Sequence, residues 1–147
     1  MSDLTLTRFF RADRTRVFDH LTRTKLLLEW WGPEGLTVPV HALDFSRPGP
    51  WFSEMHAPDG AVYKVSGQVE HVDPPASVAF TWGWHDDAGQ RGPESHVRFE
   101  LHARDGGTEL VLTHSGLADD AVAARHTEGW TSSLGKLERR LAAPPAA

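Results

Sequence analysis

The C-terminal part of the chain carries its clearest hydrophobic pattern. Apolar residues recur there at steps of three and four over several turns, a spacing that places side chains on one face of an α-helix. This face carries Val122, His126, Trp130, Leu134, Leu137 and Leu141. The pattern predicts a long amphipathic helix, and its apolar stripe must lie on a broad apolar surface.

Several segments before that helix alternate apolar and polar residues, which is typical of strands with one covered face and one face in water. The predicted strands are residues 3–11, 37–45, 51–57, 62–72, 77–84, 94–104 and 108–115. Pro58-Asp59-Gly60 and Asp105-Gly106-Gly107 have the composition of tight turns, which join antiparallel neighbours. The polar residues 85–93 predict a loop.

Two short helices are predicted directly after the first strand. Asp13 is placed as the N-cap of a helix that reaches Leu21, and Thr24 as the cap of a second helix over residues 25–30. Both helices are too small to form a core of their own, so we expect them to close one end of the sheet. The predicted architecture is α+β, a curved antiparallel sheet with one long helix across it and a cavity where the fit is imperfect.

Composition narrows the class of protein. The 147 residues predict a single domain over residues 1–143, followed by a flexible tail over residues 144–147. The formal net charge is -5 and no run of Lys or Arg could follow a phosphate backbone, so nucleic acid is not an expected partner. The sequence has no cysteine, no signal-peptide pattern and no segment able to span a membrane. A soluble cytoplasmic protein is the default expectation.

Several local motifs follow one another along the chain. They are Trp30-Trp31-Gly32-Pro33-x-Gly35, Asp44-x-x-Arg47-Pro48-Gly49, Tyr63-x-Val65-x-Gly67, Phe80-Thr81-Trp82-x-Trp84, Gly107-Thr108-Glu109-Leu110-x-Leu112-x-His114 and His126-x-x-Gly129-Trp130. In this order the motifs resemble the helix-grip fold (START/Bet v-like) of the START-like (SRPBCC) superfamily. Within it they are similar to the family of activator-of-heat-shock-protein-90-ATPase homologues. The family usually has two glycines after the Arg-Pro-like pair, whereas Pro50 stands at the second position here, which stiffens the turn before Trp51.

The resemblance implies a cavity between the sheet and the terminal helix. The residues expected to line it are Trp31, Trp51, Met55, Tyr63, Trp82, Trp84, His114, His126 and Trp130. For the aromatic residues, core packing is the alternative, because aromatic side chains bury large areas in any core. Gly129 is interpreted as structural, a position where the helix closely approaches its neighbours.

His114 and His126 are the candidates for polar chemistry. Both point inward, and a buried imidazole needs partners for its N–H and its lone pair. We favour satisfied core histidines, bonded to each other or through water. The alternative hypothesis is that they anchor a ligand, in which case replacing either by Phe should abolish binding and preserve folding. No His or Glu-His pair has metal-ligand spacing on a predicted helix, so neither a metal nor another cofactor is expected.

Three classes of function stay open. The first is binding of a small hydrophobic or aromatic molecule, and the second is a cyclase- or hydrolase-type enzyme that uses the cavity histidines for proton transfer. The third is a chaperone-associated module, which the family name suggests but the single domain weakens. A homodimer through a sheet edge or a Trp-bearing rim is compatible with the pattern.

Overall fold

A computed structural model describes residues 1–142 of the chain. Its elements in chain order are β1 (Ser2–Phe10), α1 (Arg14–Thr22), α2 (Thr24–Leu27), β2 (Thr37–Ala42), β3 (Gly49–His56), β4 (Val62–Asp73), β5 (Ser77–Trp84), β6 (Ser95–Arg104), β7 (Gly107–Leu117) and α3 (Asp120–Ala142). The strands form one curved antiparallel sheet in the order β1-β7-β6-β5-β4-β3-β2. The predicted α+β helix-grip architecture is therefore confirmed. The predicted tail lies outside the described residues.

The alternation of side chains explains which face of the sheet is covered. In β6, Val97, Phe99 and Leu101 are buried, while the alternate residues His96 and Arg98 are exposed. Successive side chains of a strand point to opposite faces, so the apolar set forms one continuous surface. β5 also buries Val78, Phe80 and Trp82, but its alternate residues Ser77, Thr81 and Gly83 are buried as well, so this strand has no exposed face.

Helix α3 covers that surface with the stripe that the sequence predicts. It buries Trp130, Leu134, Leu137 and Leu141 and packs against β1 and β7. The helix begins at Asp120, well before the stripe becomes apolar. A carboxylate oxygen of Asp119 accepts a hydrogen bond from the backbone N–H of Val122 at 2.9 Å, which satisfies one of the free donors of the first turn.

The first short helix begins as predicted, but the second differs. Asp13 caps α1 by accepting the N–H of Arg16 at 2.8 Å. α2 ends at Leu27, and its N-cap is Arg23, so Thr24 is not a cap. The hydroxyl of Thr24 instead donates to the carbonyl of Leu43, because the segment after β2 returns to the start of α2.

β2 is shorter than predicted. It ends at Ala42, yet Leu43 and Phe45 are almost completely buried beyond its end. The backbone N–H of Phe45 donates to the carbonyl of Thr22 at 2.9 Å, so this segment leaves the sheet and pairs with the end of α1. The alternating apolar residues Leu43 and Phe45 predict a strand, whereas in the structure both side chains enter the core from a loop.

None of the helices within residues 1–142 is both long enough and apolar enough to cross a membrane.

Candidate functional site

A cavity of about 370 Å³ lies between α3 and the sheet. Four parts of the chain build it: the loop after α2, side chains of β3 and β4, the end of β5, and residues 125–133 of α3. Its lining consists of Trp31, Gly32, Pro33, Leu36, Met55, Tyr63, Trp82, Trp84, Arg125, His126, Gly129, Trp130 and Ser133. Tyr63 is 48% exposed and Arg125 is exposed as well, so these two residues mark the mouth.

Three buried indoles form the inner wall. The ring centroid of Trp82 lies 5.8 Å from that of Trp31 and 5.3 Å from that of Trp130. Two of the rings are fixed by hydrogen bonds, since Nε1 of Trp31 donates to Oγ of Ser53 at 3.0 Å and Nε1 of Trp130 donates to Nδ1 of His114 at 3.1 Å. The N–H groups of Trp31 and Trp130 are therefore turned toward protein partners, and the wall presents aromatic surface to the cavity.

His114 lies behind this wall. The residue has no exposed surface, and both ring nitrogens have protein partners. Because the indole of Trp130 can only donate, Nδ1 of His114 is the acceptor, and Nε2 carries the proton that it donates to Oγ of Ser95 at 2.7 Å. Burial, together with the smaller effects of the nearby His126 and His96, lowers the pKa of His114 to about 3, so the ring is neutral at neutral pH.

His126 lies on the cavity wall itself. Its Nδ1–H donates to the carbonyl of Val122 at 2.9 Å, and its Nε2 accepts from Nε1 of Trp84 at 3.0 Å. Burial lowers the pKa of His126, the bond to Val122 opposes this shift, and the charge of Arg125 adds to the lowering. The rings of His126 and His114 are 4.8 Å apart and nearly perpendicular. Each histidine bonds to a different tryptophan, and among the described residues no hydrogen bond joins the two rings.

The indole nitrogen of Trp82, unlike those of Trp31 and Trp130, has no hydrogen-bond partner within residues 1–142. In the described part of the chain it is the one buried side-chain nitrogen or oxygen without a hydrogen-bond partner. The ring is surrounded by other rings, with the centroids of Trp84 and His114 at 5.3 and 5.5 Å. An unpaired buried donor costs about 1–3 kcal/mol, so this ring is held in place by packing alone.

The comparisons with known proteins agree with this arrangement. The family model of Activator of Hsp90 ATPase homolog 1-like protein matches residues 11–142. The chain belongs to this family. The crystal structure of the AHSA1 protein from Silicibacter pomeroyi is 54% identical, with a TM-score of 0.92 over 96% of this chain and 98% of that chain. The resemblance seen in the sequence is thus confirmed, while no curated protein matches the chain.

Less similar proteins share the fold. Protein Ms6760 from Mycobacterium smegmatis is 25% identical, with a TM-score of 0.80 over 95% of this chain and 90% of that chain. A protein from Rhodobacter sphaeroides is also 25% identical, with a TM-score of 0.82 over 99% of this chain and 95% of that chain.

The structure of this family member brings most of the sequence-predicted site residues to one cavity. Those on its lining are Trp31, Met55, Tyr63, Trp82, Trp84, His126 and Trp130. Trp51 and His114 are not on the lining. Trp51 is 2% exposed, donates from Nε1 to the carbonyl of Thr81 at 3.2 Å, and packs behind Trp31 with their ring centroids 5.7 Å apart. His114 supports the wall from behind, as described above.

Sequence reasoning missed several lining residues, namely Gly32, Pro33, Leu36, Arg125 and Ser133, and it gave Gly129 a different role. A Cβ added at Gly129 would meet Cγ of Pro33 at 3.7 Å, an ordinary contact, and no other atom within 4 Å. The expected close approach of the helix is therefore absent, and the space beside Gly129 belongs to the cavity. The signal for Gly129 and Ser133 was their position near Trp130 on the inward side of α3.

No cluster of three or more His, Asp or Glu side chains in residues 1–142 could hold a metal ion.

Proposed function

We propose that this protein binds a small, largely apolar aromatic molecule in the cavity between α3 and the sheet. The observation that carries the proposal is the cavity of about 370 Å³ at a place where the helix and the sheet would otherwise pack against each other. Ligand pockets commonly have volumes of roughly 300–1,000 Å³ and apolar linings with few polar groups. This cavity has both properties.

The chemistry of the wall supports an aromatic ligand. The edges and faces of Trp31, Trp82 and Trp130 supply the partners that aromatic rings favour, in offset or edge-to-face geometry. Met55 adds a polarisable thioether on the β3 side, and a sulfur beside an aromatic ring is favourable. A flat ring can therefore contact indole and thioether groups at once.

The hydrogen bonding of the histidines favours binding over proton transfer. A general base needs a lone pair within hydrogen-bond reach of its substrate. The lone pair of His126 accepts from Trp84, and that of His114 accepts from Trp130. Catalysis by either ring would first require one of these bonds to break, and the low pKa of His114 makes it a weak base.

Glycine substitutions in α3 test the proposal. Gly129 borders the cavity, whereas Gly135 lies on the same helix outside the lining, and a Cβ there would meet only Nη1 of Arg139, at 3.9 Å. Replacing Gly129 by Leu should fill the cavity, while Gly135→Leu should leave it open. Both changes remove a helix-interior glycine, which weakens a helix by about 1 kcal/mol relative to alanine, so folding should be preserved in both.

The measurement is isothermal titration calorimetry with 2-naphthalenemethanol, with thermal unfolding as the check on folding. We expect binding by the wild-type protein and the Gly135→Leu variant, and at least tenfold weaker binding by Gly129→Leu. The proposal would be overturned if the wild-type protein bound none of a panel of neutral aromatic compounds up to their solubility limits. Equal binding by a folded Gly129→Leu variant would also overturn it, because the ligand would then lie elsewhere.

A further inference from the structure

Arg125 is a charged residue on an otherwise uncharged wall. Among the described residues that line the cavity it is the one Lys, Arg, Asp or Glu, while the whole chain is acidic, with a formal net charge of -5. His126, the other titratable ring at this point of the wall, is neutral because burial lowers its pKa. The site therefore carries positive charge.

The guanidinium of Arg125 forms no salt bridge with the described part of the chain. Within residues 1–142, no carboxylate lies within 4.0 Å of the guanidinium of Arg125. Glu34 lies in the loop that supplies Pro33 and Leu36 to the cavity, but its carboxylate pairs with Arg139. The carboxylate of Glu34 therefore already has a cation of its own.

The position of Arg125 places its charge at the mouth. Arg125 directly precedes His126 on α3, and its charge is close enough to lower the pKa of that ring. The residue is exposed, whereas Trp82 and Trp130 deeper in the cavity are each 5% exposed. A ligand that reaches the inner wall would thus have its outer end beside the guanidinium.

The inner wall could not solvate a charge. The indole N–H groups of Trp31, Trp84 and Trp130 are all bonded to protein atoms. That of Trp82 is free, but it has almost no accessible surface, so a ligand in the cavity cannot reach it. An anion without hydrogen bonds in an apolar site is very unfavourable, so the charged end of a ligand belongs at the mouth.

We infer that the ligand is an aromatic monoanion, with its rings against the tryptophans and its carboxylate or other anionic group beside Arg125. This inference rests on the proposed function and adds the class of ligand to it. Arginine suits the role because its planar guanidinium can donate two parallel hydrogen bonds to a carboxylate.

A matched pair of ligands distinguishes the contribution of the negative charge to the affinity from that of the aromatic rings. 2-Naphthoate, which is ionised at neutral pH, and 2-naphthalenemethanol share one aromatic body. We expect the wild-type protein to bind the carboxylate about fivefold more tightly, the effect of one solvent-accessible ion pair. The preference should shrink as salt is added, because the pair lies at the mouth.

Three variants identify the source of the preference. Arg125→Met keeps an apolar stem of similar reach and should bind the two compounds with equal affinity. Arg125→Lys keeps the charge and should retain most of the preference. Arg140→Met, which removes an exposed arginine from the far end of the same helix, is the matched control and should behave like the wild-type protein.

The outcomes distinguish this inference from the proposal on which it rests. Binding of the alcohol without preference for the carboxylate, or a preference that survives in Arg125→Met, would overturn the aromatic-anion assignment and leave the proposed function standing. Failure of the wild-type protein to bind either compound, together with every member of the neutral aromatic panel, would overturn both.

Discussion

The indole nitrogen of Trp84 lies 3.0 Å from Nε2 of His126, and the histidine is the acceptor in this hydrogen bond. Val122 fixes that role, because its carbonyl accepts the proton on Nδ1 at 2.9 Å. The bond joins the end of β5 to the second turn of α3. At this point of the cavity wall, β5 and α3 are therefore connected through the neutral imidazole of His126.

Replacing His126 tests the strength of that connection. His126→Phe keeps a ring but leaves Trp84 without an acceptor, so the free energy of unfolding should fall by about 1 kcal/mol, the net value of one hydrogen bond. His126→Gln retains a side-chain acceptor and should lose less. Urea denaturation of the three proteins measures the difference, and equal stability of the Phe and Gln variants would show that the bond contributes nothing.

His114 predicts a dependence of stability on pH. Its pKa is about 3 in the folded protein, against an ordinary value of 6.5. Below pH 6.5 the unfolded chain therefore binds a proton that the folded protein does not, so stability should be constant above that pH and should fall on acidification until about pH 3. Between pH 7 and pH 5, this one group should remove about 2 kcal/mol from the free energy of unfolding.

The measurement is urea denaturation at a series of pH values for the wild-type protein and His114→Asn. The variant should be less stable at neutral pH, because Trp130 and Ser95 lose their partner, but its stability should change less on acidification. His102→Asn removes an exposed imidazole and serves as the control for composition. An unchanged acid dependence in His114→Asn would contradict the assignment.

Two buried tryptophans provide a comparison of paired and unpaired N–H groups. Trp82 and Trp130 are each 5% exposed and both line the cavity, but Trp130 donates to His114 and Trp82 has no partner. Trp130→Phe loses a bond and leaves Nδ1 of His114 unpaired, so it should destabilise the protein by about 1–2 kcal/mol more than Trp82→Phe. Thermal unfolding of both variants gives the difference. An equal or larger loss in Trp82→Phe would mean that its N–H has a favourable contact.

Two glycines of the central strands should differ in their tolerance of alanine. A Cβ at Gly67 would lie 2.0 Å from the carbonyl oxygen of Thr81, which is backbone, whereas a Cβ at Gly83 would lie 2.5 Å from the guanidinium carbon of Arg91, which can move. Gly67→Ala must push β4 from β5 and should cost about 3 kcal/mol, near the upper end for overpacking. Gly83→Ala should cost clearly less. Calorimetric melting of the two variants tests the order, and a reversed order would contradict the steric argument.

The sequence predicted the fold well where a repeating pattern decided the structure. Period-two alternation located β4, β5 and β6, and the stripe on α3 was regular enough to define the buried face. Asp13 could be recognised as a cap because its partner is three residues away. Thr24 could not be assigned correctly, because its partner, Leu43, is distant in sequence and becomes close only when the loop after β2 returns.

The sequence predicted which residues gather at the site, but not which of them reach the cavity surface. Inward phase predicted that His114 would be buried, and the resemblance placed Trp51 on the cavity, but neither signal distinguishes a residue on the cavity surface from one behind it. Arg125 was missed for the opposite reason. An arginine beside the apolar stripe of a helix is expected to lie on the solvated surface. Arg125 borders a cavity only because the loop that carries Trp31 and Pro33 folds over the same region.

The tryptophans have one more consequence. All six are linked through ring contacts, since Trp30, Trp51, Trp82 and Trp130 each lie within 6.0 Å of Trp31, and Trp84 lies 5.3 Å from Trp82. At such separations electronic excitation migrates between indoles before light is emitted. The ultraviolet luminescence of the protein is therefore a property of the whole network, and a quencher that touches a single indole would dim all six.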